Sequence, residues 1–76
     1  MTLEQYIKEQ IEAGIYTGIK DAAGKMAAEI KDKGGEGVSS VTIENVSRGL
    51  KLKLFKKAKA ISDITDGKVT IEEICE

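Results

Sequence analysis

The sequence predicts a mainly α-helical fold of four to five short helices. Apolar residues recur at spacings of three and four along most of the chain, which is the period of a helix with one buried face. Residues that favour helix starts and helix ends separate these patterns, and the chain contains no proline. Its 76 residues match one small domain with a modest core. We therefore expect residues 1–76 to form a single domain.

The first helical pattern begins at Thr2, which has the capping-box spacing with Gln5. Its apolar stripe consists of Leu3, Tyr6, Ile7 and Ile11. Gly14 is expected to end this helix, because glycine readily enters the left-handed region. Tyr16 follows closely, and core packing is the role we predict for it.

The second helical pattern starts near Thr17 or Gly18. Its buried face is rich in alanine and consists of Ile19, Ala22, Ala23, Met26, Ala27 and Ile30. Gly24 interrupts the pattern at a cost of about 1 kcal/mol relative to alanine, so we expect it to mark a close helix crossing or a kink. Three glycines among residues 34–37 then predict a flexible turn.

The third helix is predicted over residues 39–48 and has signals at both ends. Ser39 is a good N-cap, and with it Val38 and Ile43 occupy the two positions of a hydrophobic staple. Gly49 is expected to close the helix. Ile43 and Val46 share one face. The remaining positions predict a polar outward face: Ser40, Val41, Glu44, Asn45, Ser47 and Arg48.

The segment 50–55 has two interpretations. Its alternation of leucine and lysine is typical of a strand, and with residues 41–43 it predicts a β-hairpin that turns at residues 47–49. The fold would then be α+β, with the hairpin at about 40–55. A helix is favoured instead because Leu54, Ala58 and Ile61 continue at spacings of four and three.

The end of the chain predicts a turn followed by a last helical turn. Asp66 and Gly67 are typical turn residues. Thr70 and Glu73 have the spacing of a second capping box, which would place Ile71 and Ile74 on one side.

Charge is unevenly distributed along a chain whose net charge is −1. Residues 1–47 carry eight acids and five bases. Residues 48–61 carry no acid and six bases: Arg48, Lys51, Lys53, Lys56, Lys57 and Lys59. Such a block is either a solvated lysine face or a surface that contacts phosphates.

The sequence contains no pattern that indicates catalysis. Histidine, the commonest general base and metal ligand, is absent, and a single cysteine, Cys75, allows no disulfide within the chain. Zinc-ligand spacing and phosphate-binding glycine loops are also absent. We therefore expect a binding protein rather than an enzyme, without metal or cofactor. We also expect no signal peptide or membrane partner, and a cytoplasmic location.

Three segments resemble the Cro/repressor (XRE-like) family of small phage and bacterial transcriptional regulators. Residues 37–49, Gly-Val-Ser-x-x-Thr-Ile-x-x-Val-x-Arg-Gly, resemble the second half of that family's helix-turn-helix. Residues 58–61 and 65–74 resemble its closing segment, and residues 1–6 its opening. The resemblance implies a helix-turn-helix domain that binds double-stranded DNA as a homodimer, with the helix at 39–48 in the major groove.

The resemblance also implies roles for individual residues. The side chains that would contact bases are Ser40, Val41, Glu44 and Asn45. Those that would contact phosphates are Ser39, Arg48, Lys51, Lys53 and Lys56. Glu44 has a second possible partner in Arg48, one helical turn further along.

The chain departs from the family pattern between its second and third helices. In the family the Gly-Val-Ser follows the preceding helix almost at once, whereas here residues 31–36 intervene. Two alternatives stand beside DNA binding, and this departure favours the first of them. One is a protein-binding module, such as an inhibitor or antirepressor, on the same scaffold. The other is a structural helical oligomer built on the alanine-rich second helix.

Overall fold

The computed structural model describes residues 1–35 and 37–76, and these residues form five helices. The helices are α1 (Leu3–Glu12), α2 (Ile19–Asp32), α3 (Ser40–Ser47), α4 (Phe55–Ile64) and α5 (Ile71–Ile74). The mainly α-helical prediction is confirmed. The hairpin alternative is wrong, because residues 40–47 are helical and the described residues contain only one isolated parallel β-bridge, between Leu52 and Cys75.

Helix α1 has the predicted start and end. The Gln5 amide donates to Thr2 Oγ1 at 3.2 Å, and the Thr2 amide donates to Gln5 Oε1 at 3.0 Å, so the capping box is confirmed. Gly14 follows the helix with φ of +79°, a conformation that favours glycine. Tyr16 is buried in the core, as predicted.

One core runs between all five helices. Helix α2 packs against α3 and α4, α1 packs against α3, and α5 packs against α4. The largest fully buried apolar side chains are Ile7, Met26, Ile30, Ile43, Ile61, Val69 and Ile74. Within the described residues no helix combines the length and the apolar character needed to cross a membrane.

Helix α2 begins at the predicted place, with Gly18 as its N-cap. The expected close crossing at Gly24 is wrong: this residue is exposed, and a Cβ added to it would meet nothing within 4 Å. After α2, Gly34 takes φ of +72° and the Gly35 amide donates to the Ile30 carbonyl at 3.0 Å. Glu36, part of the predicted flexible turn, lies outside the described residues.

Helix α4 begins later than the sequence predicts. Leu54 is its N-cap and is 58% exposed, so the prediction that Leu54 belongs to the buried stripe is wrong. The reason is a backbone pairing with the end of the chain. The Leu52 amide donates to the Ile74 carbonyl at 2.7 Å, and the Glu76 amide donates to the Leu52 carbonyl at 2.8 Å. These bonds hold the segment before Phe55 outside the helix.

The second capping box, predicted between Thr70 and Glu73, does not form. Thr70 is the N-cap of α5, but its side chain makes no capping hydrogen bond. Glu73 pairs instead with the amino group of Met1, at 2.9 Å from Oε1. This pair joins the start of α1 to α5.

Thr65 contributes a buried hydrogen-bonding group that the sequence did not reveal. The residue is 1% exposed, and its hydroxyl donates to the Ser62 carbonyl at 2.8 Å. The same hydroxyl oxygen accepts from the Val69 amide at 3.1 Å. Thr65 therefore ties the end of α4 to the turn before α5, where Asp66 and Gly67 both have positive φ.

Replacing Thr65 with valine should lower the free energy of unfolding by about 1–3 kcal/mol. Valine fills the same space but leaves the buried Val69 amide without an acceptor, and an unsatisfied buried donor costs about that much. Urea unfolding followed by circular dichroism measures the change. Thr70→Val is the matched control, expected within about 0.5 kcal/mol of wild type because the Thr70 hydroxyl caps nothing. Equal effects of the two changes would contradict the role given to Thr65.

Candidate nucleic-acid interface

Helix α3 is divided into a buried side and an outward side. Ile43 is 0% exposed, and Val46 and Ser47 are also buried. The outward residues are Ser40, Val41, Glu44, Asn45 and Arg48, which span an arc of about 140° at 3.6 residues per turn. Ser47 was predicted on this outward side and lies instead in the buried one, where its hydroxyl donates to the Glu44 carbonyl.

The N-terminal end of α3 is capped as predicted. The Ser39 hydroxyl accepts from the Thr42 amide at 3.2 Å and shares a further hydrogen bond with Thr42 Oγ1 at 2.9 Å. Val38 and Ile43, the staple pair, are both buried. The exposed Ser39 hydroxyl, predicted to contact a phosphate, thus already serves the cap.

The C-terminal end of α3 is closed by backbone bonds. Gly49 takes φ of +109°, and the Leu50 amide donates to the Asn45 carbonyl at 3.0 Å. With both ends fixed, the outward side chains project from a short, well-defined helix.

The outward side of α3 presents side chains that are not engaged elsewhere. Val41 is 61% exposed. The Asn45 carboxamide makes no hydrogen bond to any residue that the structure describes, so its donor and acceptor are both available. The alternative pairing of Glu44 with Arg48 does not occur: no ion pair joins them in the described part of the chain.

Four cations follow directly from α3 along the chain, and we call them the basic segment: Arg48, Lys51, Lys53 and Lys56. All four are exposed, and none forms an ion pair with a described residue. Other lysines do have partners. Lys8, Lys25, Lys33 and Lys59 each pair with a carboxylate four residues away, at 3.0–3.2 Å. Lys57, also in the predicted basic block, is half-buried.

The start of α4 carries positive charge where a helix favours negative charge. Its N-cap, Leu54, provides no side-chain hydrogen bond, and its first turn contains Lys56 and Lys57 but no acid. A cation near a helix N-terminus is unfavourable by roughly 0.3–1 kcal/mol, because the free amides there already carry partial positive charge. A bound anion would offset this repulsion.

Carboxylates border part of the basic segment. Arg48 and Lys51 line a depression of about 300 Å³ that Thr2, Glu4 and Glu73 also line. Lys56 lines a second depression, of about 220 Å³, with Asp63. Lys53 lines neither of these two depressions.

Three ionisable side chains outside this surface have displaced pKa values. The pKa of Asp21 is lowered, first by the Thr17 amide that donates to it at 3.0 Å and then by Lys25. The pKa values of Tyr6 and Tyr16 are raised, first by burial and then by nearby negative charge. Among the described residues no group of three or more histidine, cysteine, aspartate or glutamate side chains is arranged to hold a metal ion.

The predicted site residues lie on α3, at its N-cap and along the segment that follows it, and this segment also carries two exposed apolar side chains. Leu54, which was predicted to lie in a buried helical stripe, and Phe55, which follows it, are 58% and 57% exposed beside Lys53 and Lys56. The signal was present in the leucine–lysine alternation of residues 50–54, which departs from helical spacing.

No known protein family, curated protein or solved structure matches the chain. Its function is therefore inferred from its own residues and geometry.

Proposed function

We propose that this chain is a sequence-specific DNA-binding transcriptional regulator of phage or mobile-element type. One observation carries the proposal. The outward arc of α3 continues along the chain into four exposed cations that form no ion pair with any residue the structure describes. A helix that presents free polar groups beside unpaired positive charge suits the major groove and its flanking phosphates.

The outward residues of α3 would read the base edges. Asn45 would donate to and accept from one adenine, since its carboxamide matches the N6 and N7 positions. Val41 would contact a thymine methyl group, and Glu44 would accept from cytosine N4. Ser40, in the first turn, would hydrogen-bond to a neighbouring base edge.

The basic segment would fix the position of the helix on the duplex. Arg48, Lys51, Lys53 and Lys56 would contact phosphates together with Ser39 at the start of α3. These contacts supply affinity that depends on salt and carry no sequence information.

Regulation would follow from occupancy of an operator, which blocks or recruits a polymerase. A module of this size makes few contacts, so a homodimer on two half-sites about one helical turn apart would supply the affinity. The protein would act in the cytoplasm without metal, cofactor or catalysis.

The second candidate is a protein-binding module, such as an inhibitor or antirepressor on the same scaffold. It is favoured by the connection between α2 and α3, which comprises residues 33–39. A DNA-binding helix-turn-helix usually has a turn of three or four residues. The longer connection would alter how α2 approaches the DNA backbone.

Fluorescence anisotropy of labelled, mixed-sequence duplex DNA titrated with the purified chain tests the proposal. Binding that weakens as salt rises is expected. Absence of binding at low salt would overturn DNA binding and favour the protein-binding module.

A further inference from the structure

Leu54 and Phe55 form an exposed apolar pair at the start of α4. Both side chains are more than half exposed, and Phe55 is the only phenylalanine of the chain. With Lys56 and Lys57 they line an open, mainly apolar depression of about 360 Å³. No other two consecutive large apolar residues are both exposed in the described part of the chain.

Core packing does not account for this pair. Leu54 precedes α4 and Phe55 is its first residue, while the buried residues of that helix begin at Ala58. Two adjacent large apolar side chains left in water suggest a contact surface.

The surrounding charge indicates the chemistry of the partner. Lys53 precedes the pair, Lys56 and Lys57 follow it, and no acid occurs in the sequence between Glu44 and Asp63. A second copy of this surface would bring the same lysines against one another. The charge therefore favours an anionic partner that also offers apolar or aromatic surface.

Duplex DNA is anionic and offers the apolar faces of its bases. The position of Leu54 and Phe55 along the chain is consistent with DNA as the partner. Leu54 lies one residue beyond Lys53, and Phe55 directly precedes Lys56. Under the proposed function both lysines contact phosphates. The apolar side chains between them would then face the duplex beside the major groove occupied by α3.

We propose that Leu54 and Phe55 form an apolar wedge that enters the minor groove next to the α3 site and bends the DNA. This inference rests on the proposed function and extends it. Apolar side chains of this kind open a base step and bend a duplex by about 20–90°. Lys53, Lys56 and Lys57 would hold the flanking phosphates while the step opens. Flexible pyrimidine–purine steps would be preferred at that point.

The test measures DNA affinity and DNA bending together. A mixed-sequence duplex carries a donor dye at one end and an acceptor at the other, and is titrated with wild type and with Phe55→Ala. Wild type should shorten the end-to-end distance. Phe55→Ala should bind about tenfold more weakly, as expected for one lost aromatic–base stacking contact, and should leave the duplex straight.

Two further variants make the test specific. Ile15→Ala removes an apolar side chain of similar exposure, 54%, in the connection between α1 and α2, and should bind and bend like wild type. Phe55→Leu keeps an apolar side chain at the wedge position and should retain part of the bend. Circular dichroism is used to check that each variant is folded. We expect all of them to fold, because Ile15 and Phe55 are both exposed.

Three results would overturn the wedge. If Phe55→Ala binds and bends DNA like wild type, the pair is not a DNA wedge, while the proposed function stands. If Phe55→Ala converts a wild-type dimer to a monomer in sedimentation, the pair is a contact between copies. If wild type binds no duplex at all, the proposed function fails and the wedge fails with it.

Discussion

Replacing Ile43 with alanine should lower the free energy of unfolding by about 2–5 kcal/mol. Ile43 is completely buried on the inner side of α3, the helix that packs against α2 and α1. Removing its side chain loses burial and leaves a cavity, and such changes cost about that amount. A domain of this length is stable by about 4–11 kcal/mol, at 0.05–0.15 kcal/mol per residue. The change would therefore remove much of the stability, measured by urea unfolding.

Val41→Ala is the matched control for this prediction. It lies on the same helix two residues earlier and is 61% exposed, so its truncation should change stability by no more than about 0.5 kcal/mol. Similar losses for both variants would contradict the assignment of an inner and an outer side to α3.

Asn45→Ala and Lys53→Ala should impair DNA binding in two different ways. Wild type should bind the duplexes that it selects more tightly than random duplexes. Asn45→Ala should reduce this difference in binding free energy by about 1–3 kcal/mol, because a bidentate contact to one base is removed. Lys53→Ala should weaken both kinds of duplex alike and reduce the slope of log affinity against log salt by about 0.9. Competition binding with the two DNA pools, repeated at several salt concentrations, distinguishes the outcomes.

Lys59→Ala serves as the control for Lys53→Ala. Lys59 belongs to the same run of basic residues, but its ammonium already pairs with Asp63 at 3.0 Å. Its removal should therefore change the salt slope less than removal of Lys53. The assignment of α3 and the basic segment fails if Asn45→Ala and Lys53→Ala both bind DNA as wild type does.

The parts of the fold that the sequence predicts well are those fixed by near neighbours. The Thr2–Gln5 capping box, the Ser39 cap and the helix end at Gly49 each depend on residues a few positions apart. The side of α3 that is buried follows from the spacing of Ile43 and Val46. Local spacing contains all the information that these features require.

The parts that the sequence does not predict depend on distant pairings. Leu52 is held by the backbone of Ile74 and Glu76, and this contact delays the start of α4 until Phe55. Glu73 pairs with the amino group of Met1 rather than with the cap at Thr70. No local pattern predicts either contact, although the leucine–lysine alternation of residues 50–54 already departs from helical spacing.

The candidate site likewise has one part that local spacing predicts and one part that depends on the folded structure. The outward arc of α3 was predictable from helical spacing, with Ser47 as the exception because its hydroxyl bonds to the Glu44 carbonyl and lets it lie inside. That the basic segment has no ion-pair partner among the described residues was visible only in three dimensions. The resemblance to Cro/repressor proteins and the roles that it implies stay predictions.

The measurement that tests the central claim most directly is the salt dependence of wild-type affinity for mixed-sequence duplex DNA. The slope of log affinity against log salt counts the phosphates neutralised, at about 0.9 for each contact. If α3 and the basic segment form a DNA surface, the slope should correspond to roughly two to six phosphates per chain. No binding at low salt, or binding that does not change with salt, would contradict that claim and direct the search to protein partners.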